Sequence, residues 1–322
     1  MTTALKDVDS EVRSSAALAL GRIGPAAKIA AAALIGMLYE ENEEVRFSAA
    51  KALGEIGAED AVSVLIETLR DKDPNVRREA ASAIGKIGPP AKQAVSALVE
   101  AMGDVDNDVR ADCVAALGRI GPSAEQAIPA LRNALNDPHW RVFQSVPRVL
   151  GEIGVRAVPI LIGALSNRDY HIRGRGAEAL GGLGPEAKQA IPALINLLGD
   201  EVDYVDSAAI QALGEIAFGN HDAVIALSEK AKSPQREVRW AAIRAIGRLG
   251  PVSSDAVPAL ILALQDQHEG IRGSAARAIG RIGRSANTAI PALKKARKDG
   301  SDDVRRSALA AIEAIERSVP DE

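Results

Sequence analysis

The stretch Val12-Arg13, followed by Ala19-Leu20-Gly21-Arg22-Ile23-Gly24, decides how this chain is read, because it recurs along nearly the whole length. Its arginine returns as Arg46, Arg77, Arg110, Arg173, Arg239, Arg272 and Arg305. The glycine eight residues on returns as Gly54, Gly85, Gly118, Gly181, Gly214, Gly247 and Gly280. Successive copies lie about 33 residues apart, a period of helical repeat arrays. Two copies keep the glycine and lose the arginine: Phe143 stands before Gly151, and Asp206 before Gly214. The last keeps Arg305 but carries Glu313 at the glycine position. Ten copies, the first incomplete, fill the 322 residues as one domain and leave no room for a second.

Each copy reads as two helices. In the second, Val109, Cys113, Leu117 and Ile120 make one apolar stripe of helical period. Gly121-Pro122 ends it, since glycine takes the left-handed position after the last turn and proline cannot continue the helix. The same stop is written at Gly24-Pro25, Gly88-Pro89, Gly184-Pro185 and Gly250-Pro251. A glycine inside a helix costs about 1 kcal/mol against alanine, so Gly118 and its equivalents imply a neighbouring helix passing too close for a Cβ. The first helix carries Ile128-Pro129, Ile191-Pro192, Val257-Pro258 or Ile290-Pro291. A proline well inside a helix predicts a kink.

Composition agrees with thin layers of small side chains. Aromatics make up 2% of the chain and the net charge is −4. The single cysteine, Cys113, excludes an intrachain disulfide. It stands in a column otherwise held by Ala16, Ala49, Ala80 and Ala275, which makes it core filler rather than a nucleophile. Residues 1–7 show no signal-peptide pattern, and the most apolar run, Ile29 to Leu38, is too short to span a bilayer. A soluble, cytoplasmic monomer without membrane contact is expected.

The curved first helix, followed by a straight second helix with Val-Arg near its start, resembles the HEAT repeat. It is most similar to the bacterial HEAT-like repeats named after phycobilisome lyases. The resemblance covers Thr3 to about Arg317. It implies an all-α, right-handed α-solenoid of about ten stacked hairpins that binds rather than catalyses. Asp7, Asp71, Asp104, Asp266 and Asp299 precede Arg13, Arg77, Arg110, Arg272 and Arg305 by six residues. In HEAT repeats these positions form an Asp–Arg ladder between neighbouring repeats, and the resemblance implies a structural ladder here. Its middle is expected to fail, where Asp137 faces Phe143, Asn167 faces Arg173, Asp200 faces Asp206 and Ser233 faces Arg239. Repeat five also has Pro147 in its second helix and a short first helix between Gly154 and Pro159. Residues 137–206 are therefore expected to bend or flex.

In such an architecture the second helices line the concave face. Positions five after the arginine and one after the glycine share its outward side. Residues 228–298 hold 14 Lys/Arg against 5 Asp/Glu, a net +9, which leaves −13 for the remainder. Within that basic third, Arg244, Arg248, Arg277 and Arg281 line up beside Trp240, with Arg148 in the same column further back. Trp and Arg are the usual hot-spot residues, so the patch is expected to contact an acidic or extended segment of a protein partner. The bland alternative is a solvated basic face. Trp140, Tyr170 and Tyr204, at the starts of the second helices of repeats five to seven, are a further candidate contact or local filler.

Catalytic chemistry is not written here. His139, His171, His221 and His268 stand at no ligand spacing. Deoxyhypusine hydroxylase, an enzyme built from such repeats, binds iron through several His-Glu pairs, whereas here His268-Glu269 is the single one. No metal, cofactor or catalytic residue is expected. Nucleic-acid binding through the basic third and a bilin lyase or bilin-carrying role are the alternatives to a protein scaffold. The acidic remainder counts against the first, and only the family name suggests the second.

Overall fold

The computed structural model describes residues 2–317, and no β-strand occurs among them. Each repeat contributes a long inner helix. These are α1 (Ser10–Ile23), α2 (Glu43–Ile56), α3 (Pro74–Ile87), α4 (Asn107–Ile120), α5 (Val146–Ile153), α6 (Tyr170–Gly182), α7 (Asp203–Ile216), α8 (Arg236–Leu249), α9 (Glu269–Ile282) and α10 (Asp302–Arg317). Six start at a side-chain cap: Asp9, Asn42, Asp73, Asp106, Asp169 and His268 accept hydrogen bonds from N–H groups of the first turn. Such a cap is worth about 1 kcal/mol. Gly24 and Gly121, at φ 71° and 69°, stop their helices where the sequence predicts.

The prolines of the outer helices do something other than kink them. After α4 a 3-10 run, Gly121–Ala127, leads into a seven-residue α-helix, Ile128–Ala134, and Pro129 falls in its first turn. A missing N–H costs nothing there, because no intrahelical acceptor is waiting for it. Pro192, Pro258 and Pro291 take the same place in Ile191–Leu197, Val257–Ala263 and Ile290–Ala296. The proline thus marks the junction of two short helical pieces.

The chain divides into two compact units, Met1–Ile160 and Leu161–Glu322. In the first, α1 to α5 stack in order; in the second, α6 to α10 do so. The inner glycines explain how closely. A Cβ on Gly54 would lie 2.7 Å from the Cα of Ala83 on the next inner helix, and one on Gly280 would lie 3.1 Å from that of Ala311. Backbones meet where larger side chains would hold them apart, which is why the chain has little use for aromatics. Leu34, Leu53, Leu65, Leu98 and Leu117 fill the remaining space and are wholly buried. Each such side chain contributes roughly 1.5–3 kcal/mol.

Repeat five is irregular. Its inner helix is broken into Trp140–Phe143 and α5, with Pro147 in the first turn of α5. The 3-10 piece that follows, Val155–Ala157, has three residues where Gly121–Ala127 has seven. One stretch among the described residues, Ser10–Met37, has the length and apolarity of a membrane span. Gly24 divides it into separate helical segments, and Ala17 and Leu34 from either side of the break are core residues.

Candidate functional site

Two features of the inner helices carry charge in register. The first is the ladder. The guanidinium of Arg77 donates to both carboxylate oxygens of Asp104, at 2.7 and 2.8 Å, and to the backbone carbonyls of Asp71 and Lys72. Arg46–Asp71, Arg110–Asp137, Arg173–Asp200, Arg239–Asp266 and Arg272–Asp299 repeat the bidentate pairing. Each arginine therefore grips the turn of its own repeat through carbonyls and the next repeat through a carboxylate. These arginine side chains are only 6% to 18% exposed. Hydrogen bonding from Arg173 and Arg272 holds Asp200 and Asp299 below the ordinary carboxylate range.

This geometry corrects the reading of the middle. Asp137 and Asp200 are on the ladder, bound by the arginines of the preceding repeats rather than left facing Phe143 and Asp206. Arg46 and Arg239 are on it too. At the ends, Arg13 takes Glu40 at 2.6 Å in place of an aspartate, and Asp7 offers its carbonyl to Arg13 and its carboxylate to the Asp9 N–H. Arg305 grips the carbonyls of Asp299 and Gly300 and pairs with Asp302 on its own helix.

One rung is inverted. Asp206, at an arginine position, accepts from the Gly199 N–H at 2.7 Å and pairs with Lys230 of the next repeat at 2.9 Å. Leu198 is extended (φ −64°, ψ 125°) and Gly199 lies at φ 91°, so this is a type II turn. The flipped peptide presents an N–H where the other turns present carbonyls. Gly103 holds the same place in repeat four without a positive φ, so it is the carboxylate at 206, not glycine alone, that selects the flip.

The second feature is the solvent side of the inner helices. In the first unit charges of both signs are mixed, and several of them pair. Lys86 bridges Glu55 and Glu79, at 3.0 and 3.4 Å, and Arg78 reaches Asp112 at 3.3 Å. Burial pushes the carboxyls of Glu79 and Asp112 up from their ordinary values despite these cations. In the second unit, Trp240, Arg244, Arg248, Arg277 and Arg281 line a concavity of about 350 Å³. The Arg244 guanidinium lies 4.6 Å from the centre of the Trp240 ring, a cation–π contact. Arg248 pairs with Glu215 at 2.9 Å, and Arg277 with Asp303 at 2.9 Å and Ser307 at 3.1 Å. Among the described residues, Arg244 and Arg281 have no carboxylate partner.

The structure does not gather the other candidates into this site. Arg148 belongs to the first unit and pairs with Glu152 one turn along its own helix. Trp140, also there, is exposed and stacks on His139 at 6.1 Å. Tyr170 lies against its own neighbour, His171. Tyr204 has a packing role: its ring occupies the place a Cβ on Gly174 would need, and burial with Glu178 nearby pushes its hydroxyl up to about 12. Cys113 is wholly buried, and burial pushes its thiol up as well. No cluster of metal-ligating side chains occurs among the described residues.

The family pattern described as HEAT repeats matches residues 31–118, 64–147, 95–181, 128–214, 158–237 and 224–313. The chain belongs to the HEAT-repeat family. The chain superposes on an engineered protein at 24% identity and a TM-score of 0.58, with 98% of each chain covered. Importin beta, at 16% identity and TM-score 0.68, is covered over 51% of its length by the whole of this chain. Kap95p bound to RanGDP gives 17% identity and TM-score 0.66, with 99% of this chain and 52% of that one covered. The chain thus spans about half the length of these two proteins, and the likeness is one of fold. No curated protein matches its sequence.

Sequence reasoning missed one element of this HEAT site. Beside Trp240 lies a second concavity, about 410 Å³, lined by Arg236, His268, Gly270 and Ile271. Its signal is the glycine at 270, a position where neighbouring repeats carry Glu237 and Asp303.

Proposed function

We propose that this chain is a non-catalytic protein-interaction scaffold that captures an acidic segment of a partner on the inner-helix face of repeats eight and nine. One observation carries the reading: Arg244 and Arg281, without a carboxylate partner among the described residues, share one concavity with half-exposed Trp240 in a group of four arginines of which Glu215 and Asp303 hold the other two. Unpaired guanidinium groups next to an indole favour a carboxylate-bearing surface. Two structures of similar fold, described as Kap95p with RanGDP and as a Kap95:Nup1 complex, contain protein partners.

The test compares wild type with an Arg244→Glu/Arg281→Glu variant, both shown by circular dichroism to be folded, in pull-downs from nuclease-treated lysate. A protein held by wild type and lost at least tenfold from the variant supports the scaffold. Equal recovery by both forms rejects this face. Retention that disappears with nuclease transfers the site to nucleic acid, and a steep salt dependence with duplex DNA would accompany it.

A further inference from the structure

We infer that the two concavities flanking Trp240 form one bipartite groove, running along the seam between α8 and α9, for a short acidic peptide with an apolar side chain. This rests on the binding face proposed above and adds the direction, composition and spacing of what occupies it.

The apolar half exists because a cross-repeat pair is left half empty. The residue after each ladder arginine meets the residue two before the next one. Arg78 meets Asp108 at 3.8 Å, Tyr204 covers Gly174, and Asp303 lies where a Cβ on Gly273 would go. At the fourth such pair, Trp240 meets Gly270. A Cβ there would find only the ring of His268 within 4 Å, so nothing covers that flank of the indole and Trp240 is 44% exposed. Ile271 and Trp240 give the recess apolar walls. At the Gly174 pair the glycine is on the other partner, and there the chain itself supplies the aromatic ring that covers it.

The polar half begins one turn further along the same helices. Glu215 and Asp303 already neutralise Arg248 and Arg277, which leaves Arg244 and Arg281 to bind anions. Two free cations suit one or two carboxylates. A nucleic-acid backbone, with a charge on every residue, would also meet Glu215, Glu237 and Asp303. Arg244 lies about 6 Å along the axis from Trp240 at the rise of an α-helix, and Arg281, at the register of Arg248 on the next helix, about 12 Å. An extended peptide advances about 3.3 Å per residue. The acids should therefore stand about two to four residues from the apolar side chain, and a ligand of about five residues occupies the site without crossing further repeats.

The experiment titrates the full chain with nine-residue peptides by calorimetry. One peptide carries Phe with two Asp residues three and four positions away, on either side in separate versions. Others place the acids directly adjacent to Phe, or replace Phe by Ala, and a nine-residue oligothymidylate serves as polyanion. One spaced peptide should bind at least tenfold tighter than its Ala version and about fivefold tighter than the adjacent one. Gly270→Val should abolish the Phe-to-Ala difference while leaving affinity for the Ala peptide, and Arg281→Gln should weaken every peptide. If Arg281→Gln weakens binding but neither Phe nor spacing matters, the bipartite groove is wrong and the acidic-partner reading survives. If no peptide binds, or the oligonucleotide binds tighter than all of them, the peptide assignment falls.

Discussion

The inner-helix faces of the two units occupy the same register and fill it with different charges. In the first, Lys86, Arg78, Glu55, Glu79 and Asp112 mix the two signs and pair with one another, while Arg22, Lys51 and Arg119 have no carboxylate partner among the described residues. In the second, the equivalent columns hold Arg244, Arg248, Arg277 and Arg281, and carboxylates reach only two of the four. The ladder, by contrast, is built the same way in both. Architecture thus lies on one edge of the inner helices, and the recognition proposed above on their open side. Mixed signs lower the cost of bringing like repeats together, and a run of one sign keeps charge available for something else.

The sharpest way to break this division is to remove one arginine of each kind. Arg272→Ala leaves the partly buried Asp299 without its bidentate partner and should cost about 1–3 kcal/mol, as should Arg77→Ala in the first unit. Arg281→Ala, with nothing to orphan, should stay within about 0.5 kcal/mol in chemical denaturation. Equal losses at Arg272 and Arg281 would erase the distinction between ladder and face.

The inner helices also meet at different distances along the array, and the spread runs through both units. A Cβ on Gly54 would lie 2.7 Å from Ala83, whereas one on Gly247 would come no nearer to Ala278 than 3.2 Å. Gly54→Ala should therefore destabilise by about 1–3 kcal/mol, and Gly247→Ala by less. Gly36, in the outer helix Ala31–Met37, has open space around it. Gly36→Ala should stabilise by about 0.5 kcal/mol, and melting curves of the three variants would rank them.

The smallest effect concerns pH. The ladder carboxyls are depressed on folding, so their contribution is complete above the unfolded value near 4 and is lost as pH falls through their lower folded values. Glu79 and Asp112 are raised, so their ionisation opposes folding at neutral pH and that penalty is relieved on mild acidification. Glu79→Gln should stabilise by about 0.5 kcal/mol or less at pH 7 and lose the advantage near pH 4.5. A gain that persists at pH 4 would show that Glu79 is not burdened by its charge.

The fold was legible because its signal is redundant: Gly121-Pro122 repeats the stop of Gly24-Pro25, and Gly54 repeats the close approach of Gly280. The ladder was legible in its residues and misread in its connections. Six residues separate Arg77 from the carbonyl of Asp71, but the carboxylate it binds is 27 residues ahead, at Asp104. Spacing within one copy cannot show which neighbour a side chain faces. Charge and helical period put Arg244, Arg281 and Trp240 side by side, as they lie in the structure, while Trp140, Tyr170 and Tyr204 lie apart from them. The recess beside Gly270 was hidden, because a space is defined by what two distant segments fail to place in it.

The inverted rung at Asp206 gives the array an address. Most repeats of such a chain present interchangeable edges, so an unfolded segment could dock on the wrong neighbour with its charges still matched. A repeat offering a carboxylate and a flipped turn accepts only a follower that supplies a lysine where Lys230 stands. Repeats seven and eight therefore behave as a keyed couple. Duplication or exchange of single copies elsewhere would leave the charges matched, but a cut between these two would bring two like charges together or leave one buried alone.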